Sequence, residues 1–288
     1  MNFNPRRQAF RALLAGPDCI SPGSVFDPLS ARIAEDLGYE MGMFAGSVAS
    51  LAVLGAPDIT LLTLTEFAEQ AYRICRAVNM PLLADADHGY GNALNVKRTV
   101  EELENAGVAA LTIEDTLLPA AFGGRGKSAL ISLEEGVGKM KAALDGRQDK
   151  DLVIVGRTGA AGILGLEDAL LRCAAYEAAG VDALFLAGMK DPVHLEAICA
   201  AVKIPVMLGN VPKSMQDRTR LAQLGVRVTL QGHQSFTAAM AGVHRVLSDL
   251  RNGVRPGDIA GLPDSDFLEK LMRAPDYSRA SKKYLDQG

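Results

Sequence analysis

Short apolar runs alternate with longer segments of mixed polarity along most of the chain. The runs near Ala110–Ile113 and Ala183–Leu186 are almost wholly apolar, which is typical of parallel strands covered on both faces. Several runs follow a segment that ends in glycine, as at Gly107 and Gly180. Glycine adopts the positive φ of a helix C-cap at least cost. The pattern therefore predicts a repeated unit in which a helix is followed by a short, buried strand.

The repeated unit gives eight strands, each with a helix close behind it. The strands are predicted near Ile20–Val25, Met41–Ala45, Leu82–Ala84, Ala110–Ile113, Leu152–Val155, Ala183–Leu186, Val206–Leu208 and Val226–Leu230. The helices are predicted near Pro28–Leu37, Leu64–Val78, Val96–Ala106, Leu133–Leu144, Leu166–Ala179, Pro192–Val202, Met215–Leu224 and Phe236–Asn252. Eight such units without a break in composition favour an α/β fold of the TIM (β/α)8 barrel type over a doubly wound sheet.

The pattern changes after Gly253. Residues 254–288 contain three prolines, a predicted short helix at Asp264–Met272 and a charged end at Lys282 and Lys283. We therefore expect residues 1–253 to form a barrel catalytic domain. Residues 254–288 are expected to form a C-terminal extension that packs on the barrel or on a neighbouring subunit.

Composition and charge exclude several classes of protein. Apolar residues make up 48% of the 288-residue chain and the formal net charge is −4, as expected of a globular protein with a sizeable core. This small acidic excess argues against a nucleic-acid or anionic-membrane partner. No apolar tract suits a membrane span, and the arginines of Met1–Leu14 have no apolar segment behind them, so we expect a cytoplasmic protein. The four cysteines form no C-x-x-C pair and are read as incidental thiols.

Acidic residues collect where two neighbouring strands end. Asp85 and Asp87 follow the third strand two positions apart, which places both side chains on one face of an extended chain. Glu114 follows the fourth strand in the same way. Three carboxyl groups at one barrel rim raise each other's pKa unless a cation or a basic side chain compensates. Their hard oxygens favour Mg²⁺ or Mn²⁺ over zinc, and a plain hydrogen-bond network is the alternative.

Other strand ends carry further candidates. Arg157 leaves an apolar strand, so its guanidinium either pairs with one of the acids or holds a substrate carboxylate. Ser47, among small residues, could donate its hydroxyl and backbone N–H to an oxyanion. His233 lies at the end of the last strand, where a core role and a functional role are equally open. Asp27, just before Pro28, is read as a helix N-cap.

Several motifs resemble the isocitrate lyase and phosphoenolpyruvate mutase superfamily over nearly the whole chain. The D-x-D-x-G-Y-G-N and I-E-D segments are the most specific of them. The matching segments are Gly46–Ser50, Ala56–Asp58, Ala84–Asn92, Leu111–Asp115 and Arg157–Thr158.

The resemblance implies a TIM barrel, Mg²⁺ and chemistry on 2-oxo acids or enolpyruvate. It also implies a homotetramer in which the last barrel helix is exchanged between subunits. By the same motifs, Asp85 is expected to bind the metal directly, while Asp58, Asp87 and Glu114 surround it, mostly through water.

The loop after the fourth strand separates the branches of the superfamily. Methylisocitrate lyase-like enzymes carry a lysine-cysteine-glycine-histidine motif there, and phosphonopyruvate enzymes carry an asparagine. Residues 122–130 contain neither. The closest resemblance is to the oxaloacetate decarboxylase branch, which implies substrate contacts from Ser47, Arg157 and His233. The shared segments are Val25–Pro28, Glu114–Pro119, Glu134–Lys139 and Gly232–His233.

We therefore expect Mg²⁺-dependent decarboxylation of oxaloacetate to pyruvate and CO₂. Gly159 follows Arg157–Thr158 where the family usually has asparagine or aspartate, and Gly209–Lys213 is also altered. These departures keep two alternatives open. One is a carbon–carbon lyase or phosphonopyruvate-type enzyme acting on a related 2-oxo acid, and the other is a barrel that binds an oxo acid without turning it over.

Overall fold

The computed structural model describes residues 2–120, 122 and 128–286. Eight parallel strands form one sheet whose spatial order follows the sequence. A parallel bridge between Ile20 and Val228 joins the last strand to the segment before the first, so the sheet curls into a barrel as predicted. The strands are β1 (Gly23–Ser24), β2 (Gly42–Phe44), β3 (Leu82–Asp85), β4 (Ala110–Glu114), β5 (Val153–Thr158), β6 (Ala183–Leu186), β7 (Val206–Leu208) and β8 (Val226–Thr229).

Helices surround the sheet and bury their apolar faces against it. Alternate strand residues face two different core layers, as Val153 and Val155 pack inside the barrel while Leu152 and Ile154 pack under the helices. The helices are α1 (Asn4–Ala15), α2 (Pro28–Asp36), α3 (Gly46–Ala49), α4 (Leu64–Cys75), α5 (Ala93–Ala106), α6 (Leu133–Gly146), α7 (Ala160–Ile163), α8 (Leu166–Ala179), α9 (Pro192–Ala201), α10 (Arg218–Gln223), α11 (Gln234–Arg251), α12 (Ser265–Met272) and α13 (Ala274–Tyr284).

Helix starts follow local capping chemistry. Asp27 accepts a hydrogen bond from the backbone N–H of Ser30 at 2.7 Å, which confirms its interpretation as an N-cap. Asn92 caps α5 in the same way, so this helix begins at Ala93 and not near Val96. The helix predicted at Met215–Leu224 was placed too early. It begins at Arg218, because Asp217 accepts from the backbone N–H of Thr219 at 3.0 Å.

The N-terminal helix α1 was not predicted. Its Phe10 and Leu14 are buried in the inner barrel layer. Arg7 is also buried, donates to the backbone oxygen of Val108 just before β4, and pairs with Asp149 at 2.7 Å. These contacts place α1 across the amino ends of the strands, so the opposite end of the barrel remains available for a site.

The last helices leave the barrel. In α11 only Phe236 is buried, and the extension returns to α2, where Arg32 donates to the backbone oxygen of Leu271 at 3.1 Å. Arg273 also pairs with Asp36. The exchange of α11 between subunits stays a prediction. Among the described residues, no helix combines the length and apolarity that a membrane crossing requires.

Candidate active site

Four side chains meet at the carboxyl ends of β3, β4 and β5 and form what we call the acid cluster: those of Asp85, Asp87, Glu114 and Arg157. Along β5, Val153 and Val155 face the barrel interior, and Arg157 continues this alternation two residues later. Glu114 lies in register beside Arg157. Asp85 lies in register with Thr112 and accepts a hydrogen bond from its hydroxyl at 2.9 Å. The period of two in neighbouring strands therefore brings these side chains to one rim.

Arg157 is the positive centre of this cluster. Its Nη1 pairs closely with Asp85 Oδ1, and its Nε lies 3.0 Å from Glu114 Oε2. The guanidinium also lies over the ring of Phe185, 5.5 Å from its centroid. Burial disfavours the charged form, but Asp85 and Glu114 more than compensate and raise the pKa of Arg157. Two roles were left open for Arg157, pairing with the acids and binding a substrate carboxylate. The structure shows the pairing.

Asp87 is the most strongly perturbed carboxyl group in the cluster. Burial, followed by the negative charges of Asp85 and Glu114, raises its pKa to about 8. Its backbone has φ of 48°, and its carboxylate lies against the backbone of Gly46, where a Cβ would be 2.8 Å from Asp87 Oδ2. Burial also raises the pKa of Glu114. Protons or a cation therefore stabilise this crowded set of acids.

A cavity of about 510 Å³ opens on this cluster. It brings Asp58 together with Asp87, Glu114 and Arg157, and partial desolvation with the Asp85 charge raises the pKa of Asp58. Its described lining is Asp58, Ile59, Thr60, Asp87, Glu114, Thr116, Leu118, Ala120, Ser128, Arg157, Gly159, Gly162, Ile163, Ala187, Gly188 and Lys190.

Three predicted site residues, Asp85, Ser47 and His233, are not among the described lining residues of this cavity, although Asp85 pairs with the lining residue Arg157. Ser47 is partly buried in α3, directly after Gly46. His233 precedes α11, and its Nδ1 lies 2.8 Å from Ser24 Oγ. Burial lowers the pKa of His233, although Asp85 and Asp58 oppose the shift. The charges of Asp85 and Asp58 therefore act on His233, while its burial favours the neutral imidazole.

The donor set fits a hard divalent cation. The cavity and the cluster bring together four carboxyl groups and one guanidinium; the acids are Asp58, Asp85, Asp87 and Glu114. In the described part of the chain, neither Asp58 nor Asp87 pairs with a basic side chain. Within those same residues, no three His, Cys, Asp or Glu side chains form a ready coordination group. Mg²⁺ commonly keeps several waters and takes one or two carboxylates from a protein, so it does not need three converging ligands.

Sequence reasoning missed several cavity residues. Thr60, which has φ of 66°, and Ser128 are polar residues of connecting loops, whose folded position no local pattern reveals. Lys190 was missed because it precedes Asp191–Pro192, which reads only as a helix start. Most of the loop at Gly123–Ala129, including the segment that separates the superfamily branches, lies outside the described residues.

A closed parallel barrel with an acid cluster at the carboxyl ends of its strands defines the class of (β/α)8-barrel enzymes. A family model described as phosphoenolpyruvate phosphomutase matches residues 10–251. The chain belongs to this family, which confirms the resemblance seen in the motifs.

Curated relatives match nearly the full chain. A protein of Bradyrhizobium diazoefficiens named oxaloacetate decarboxylase is 59% identical over 273 residues, covering 95% of this chain and 94% of the relative. A protein of the same name from Bradyrhizobium sp. strain BTAi1 is 54% identical over all 288 residues, with complete coverage of both chains.

Solved structures show the same fold at lower identity. Oxaloacetate acetylhydrolase in complex with the inhibitor 3,3-difluorooxalacetate gives a TM-score of 0.86 at 26% identity and covers 99% of each chain. Phosphonopyruvate hydrolase in complex with oxalate and Mg²⁺ gives a TM-score of 0.82 at 30% identity and covers 97% of this chain and 99% of its own.

Proposed function

We propose that this chain decarboxylates oxaloacetate to pyruvate and CO₂ with the help of Mg²⁺. The observation that carries the proposal is the cluster of Asp85, Asp87 and Glu114 around the buried Arg157, beside a cavity large enough for a small oxo acid. The names of the full-length relatives support oxaloacetate as the substrate. The neighbours named oxaloacetate acetylhydrolase and 2,3-dimethylmalate lyase support the broader class of enzymes that cleave a carbon–carbon bond of an oxo or hydroxy acid.

Asp85 is proposed to hold Mg²⁺ directly, with Asp58, Asp87 and Glu114 around it through water. When bound, the ion supplies a Lewis acid for the 2-oxo group, where negative charge develops as CO₂ leaves. Mn²⁺ has the same oxygen preference and is expected to substitute.

The chain's own groups position the substrate. Arg157 is held by two carboxylates and packed on Phe185, so its orientation is fixed before a substrate arrives. Arg157 is proposed to orient the substrate. The hydroxyl and backbone N–H of Ser47 are proposed to donate to the developing oxyanion.

His233 is proposed to contact the departing carboxylate or to assist protonation of the product. A neutral imidazole donates a hydrogen bond from one ring nitrogen and accepts a proton at the other, so His233 would protonate the product only after taking up a proton from solvent. Decarboxylation needs little further acid–base machinery. The loop at 122–130 has no cysteine, so aldol-type cleavage would lack the acid or base that lyases of the superfamily use.

The test is a coupled assay of pyruvate and CO₂ with oxaloacetate, with and without Mg²⁺. We expect Asp85→Ala to lose at least about 100-fold in Mg²⁺-dependent kcat/KM, since it removes the direct ligand of a Lewis acid that contributes several kcal/mol. Asp85→Asn keeps the size of the side chain, and thermal unfolding verifies that both variants fold. Asp145→Ala is the matched control, because Asp145 pairs with Lys97 on the exposed surface.

Full Mg²⁺-dependent pyruvate formation by Asp85→Ala would contradict the assignment. Release of glyoxylate or phosphate from related 2-oxo acids would favour a lyase or a phosphonopyruvate-type enzyme. Thermal stabilisation by oxalate without any turnover would favour an oxo-acid-binding barrel.

A further inference from the structure

Lys190 lines the cavity beside the acid cluster, but it belongs to a different part of the chain. It lies in the connection between β6 and α9, and its side chain is exposed to solvent. The backbone on both sides of it is anchored. Met189 is buried with 2% of its surface exposed, and Asp191 caps α9 by accepting from the backbone N–H of Val193 at 2.8 Å. Lys190 is therefore a long cationic side chain on a fixed backbone at the cavity wall.

Two cationic side chains, Arg157 and Lys190, are among the described residues that line the cavity, and they differ in their ion pairs. Arg157 is bound to Asp85 and Glu114, which compensate its charge, and its proposed role is to orient the substrate at the acid cluster. Lys190 takes part in no ion pair with the described residues. Among those lining residues it is thus the cation available for a new anionic partner.

A four-carbon oxo dicarboxylate carries one negative charge at each end. The 2-oxo acid end belongs with the acid cluster and its cation in the proposed function. The remote carboxylate then lies in a cavity whose remaining wall is partly apolar, from Ile59, Leu118 and Ile163. A carboxylate placed against such a wall is unfavourable unless a charged donor meets it.

We propose that Lys190 binds the remote carboxylate of the substrate, which is also the one that departs as CO₂, and so selects oxo dicarboxylates over oxo monocarboxylates. Of the two roles proposed for His233, this leaves assistance in protonating the product. This inference rests on the proposed function, since it assumes that the oxo-acid end of the ligand lies at the acid cluster. An ammonium group suits the role because it is a mobile point charge on a flexible stem and needs no fixed bidentate geometry.

The role has a kinetic signature. During decarboxylation the bond between C3 and the remote carboxyl carbon breaks, its electron pair moves into the enolate at C2 and C3, and neutral CO₂ leaves. A proton is then added to C3. The charge that Lys190 binds is therefore present in the bound substrate and lost on the way to CO₂. Such an interaction lowers KM without raising kcat.

The experiment compares Lys190→Met and Lys190→Arg with the wild-type enzyme. We expect Lys190→Met to raise KM for oxaloacetate about tenfold, the usual effect of losing a hydrogen bond to a charged group, with kcat unchanged or higher. Competitive inhibition by oxalate, which lacks a remote end, should not change. Lys190→Arg should restore KM to within about threefold, since it keeps the charge but not the shape. Lys203→Met, an exposed lysine beyond the other end of α9, is the matched control.

Binding measurements separate this proposal from the proposed function. The probes are 3,3-difluorooxaloacetate, which carries the remote carboxylate, and 2-oxobutanoate, which has the same chain length without it. If the wild-type protein prefers the first and Lys190→Met loses that preference, Lys190 has the proposed role even if oxaloacetate is not turned over. The proposal is overturned if the wild-type protein shows no such preference, if Lys190→Met retains it, or if Lys203→Met loses it equally.

Discussion

At the scale of single residues, Gly46 fixes where the Asp87 carboxylate lies. A Cβ at position 46 would be 2.8 Å from Asp87 Oδ2 and 2.9 Å from Oδ1, closer than a Cβ carbon normally approaches another heavy atom. Gly46 has no positive φ, so the requirement for glycine is one of space. The acid cluster and the segment that carries Ser47 can pack together only because this side chain is missing.

We therefore expect Gly46→Ala to displace the Asp87 carboxylate and weaken both Mg²⁺ affinity and turnover, by roughly 10- to 100-fold, as for other changes behind a metal ligand. Isothermal titration with Mg²⁺ and steady-state kinetics would measure the two effects. Gly138→Ala, in helix α6, is the control. A Cβ there meets nothing within 4 Å, and alanine should stabilise the helix by up to about 1 kcal/mol. Equal activity of the two variants would show that the Gly46 contact is irrelevant.

The sequence could predict the residues of the cluster because alternation along parallel strands is a local rule. Asp85, Glu114 and Arg157 lie at strand ends, and the structure brings them together at one rim. The positive φ of Asp87 and the placement of Lys190 depend on how connecting loops pack. No local pattern encodes that packing, so the position of the Lys190 ammonium group at the cavity was not predicted.

At the scale of elements, the eight strands were predicted to within a few residues, but α1 was missed. The prediction rested on a helix-then-strand repeat, and α1 precedes the first strand and belongs to no repeat. Phe10 and Leu14 bury its inner face against the barrel interior, which is a tertiary contact. Sequence periodicity predicts elements that repeat. The position of a helix that closes the end of a barrel depends instead on tertiary contacts with the residues it covers.

Helix α8, outside the barrel, anchors the connection between β4 and α6. Asp115, directly after β4, is fully buried and pairs with Arg172 of α8 at 3.1 Å. It also accepts from the hydroxyl of Tyr176 at 2.8 Å. Arg172 in turn donates to the backbone oxygen of Ile131 at 3.0 Å. Because Ile131 lies at the far end of the connection from β4 to α6, Arg172 ties both ends of this connection to α8.

Arg172→Met should therefore destabilise the protein by roughly 3–5 kcal/mol, because it leaves the buried Asp115 carboxylate without its cation. Arg220→Met removes an ion pair of similar length, 2.7 Å to Glu196, between side chains that are about half exposed. That variant should cost less than about 1 kcal/mol. Urea unfolding of both variants measures the difference, and similar free energies of unfolding would refute the importance of burial for the Arg172 pair.

At the scale of the whole molecule, α11 follows the last strand as a barrel helix does, but the barrel covers little of it. Phe236 is its one buried residue. The helix is tethered at its start, where Phe236 packs edge-on against Phe26 with ring centroids 5.2 Å apart. Further along, Met240, Val243 and Leu247 are exposed at the spacing of one helical face.

The exchange of α11 between subunits of a homotetramer stays a prediction, and a charge on the exposed apolar face of α11 tests it. The wild-type protein should have about four times the 30.5 kDa chain mass by light scattering. Leu247→Asp should lower the mass, because burying an apolar side chain contributes about 1.5–3 kcal/mol per site and a buried carboxylate opposes association. Leu171→Asp is a matched control, since both leucines are 61% exposed in the single chain. A wild-type monomer would refute the homotetramer. An unchanged mass for Leu247→Asp beside a reduced mass for Leu171→Asp would place the interface elsewhere.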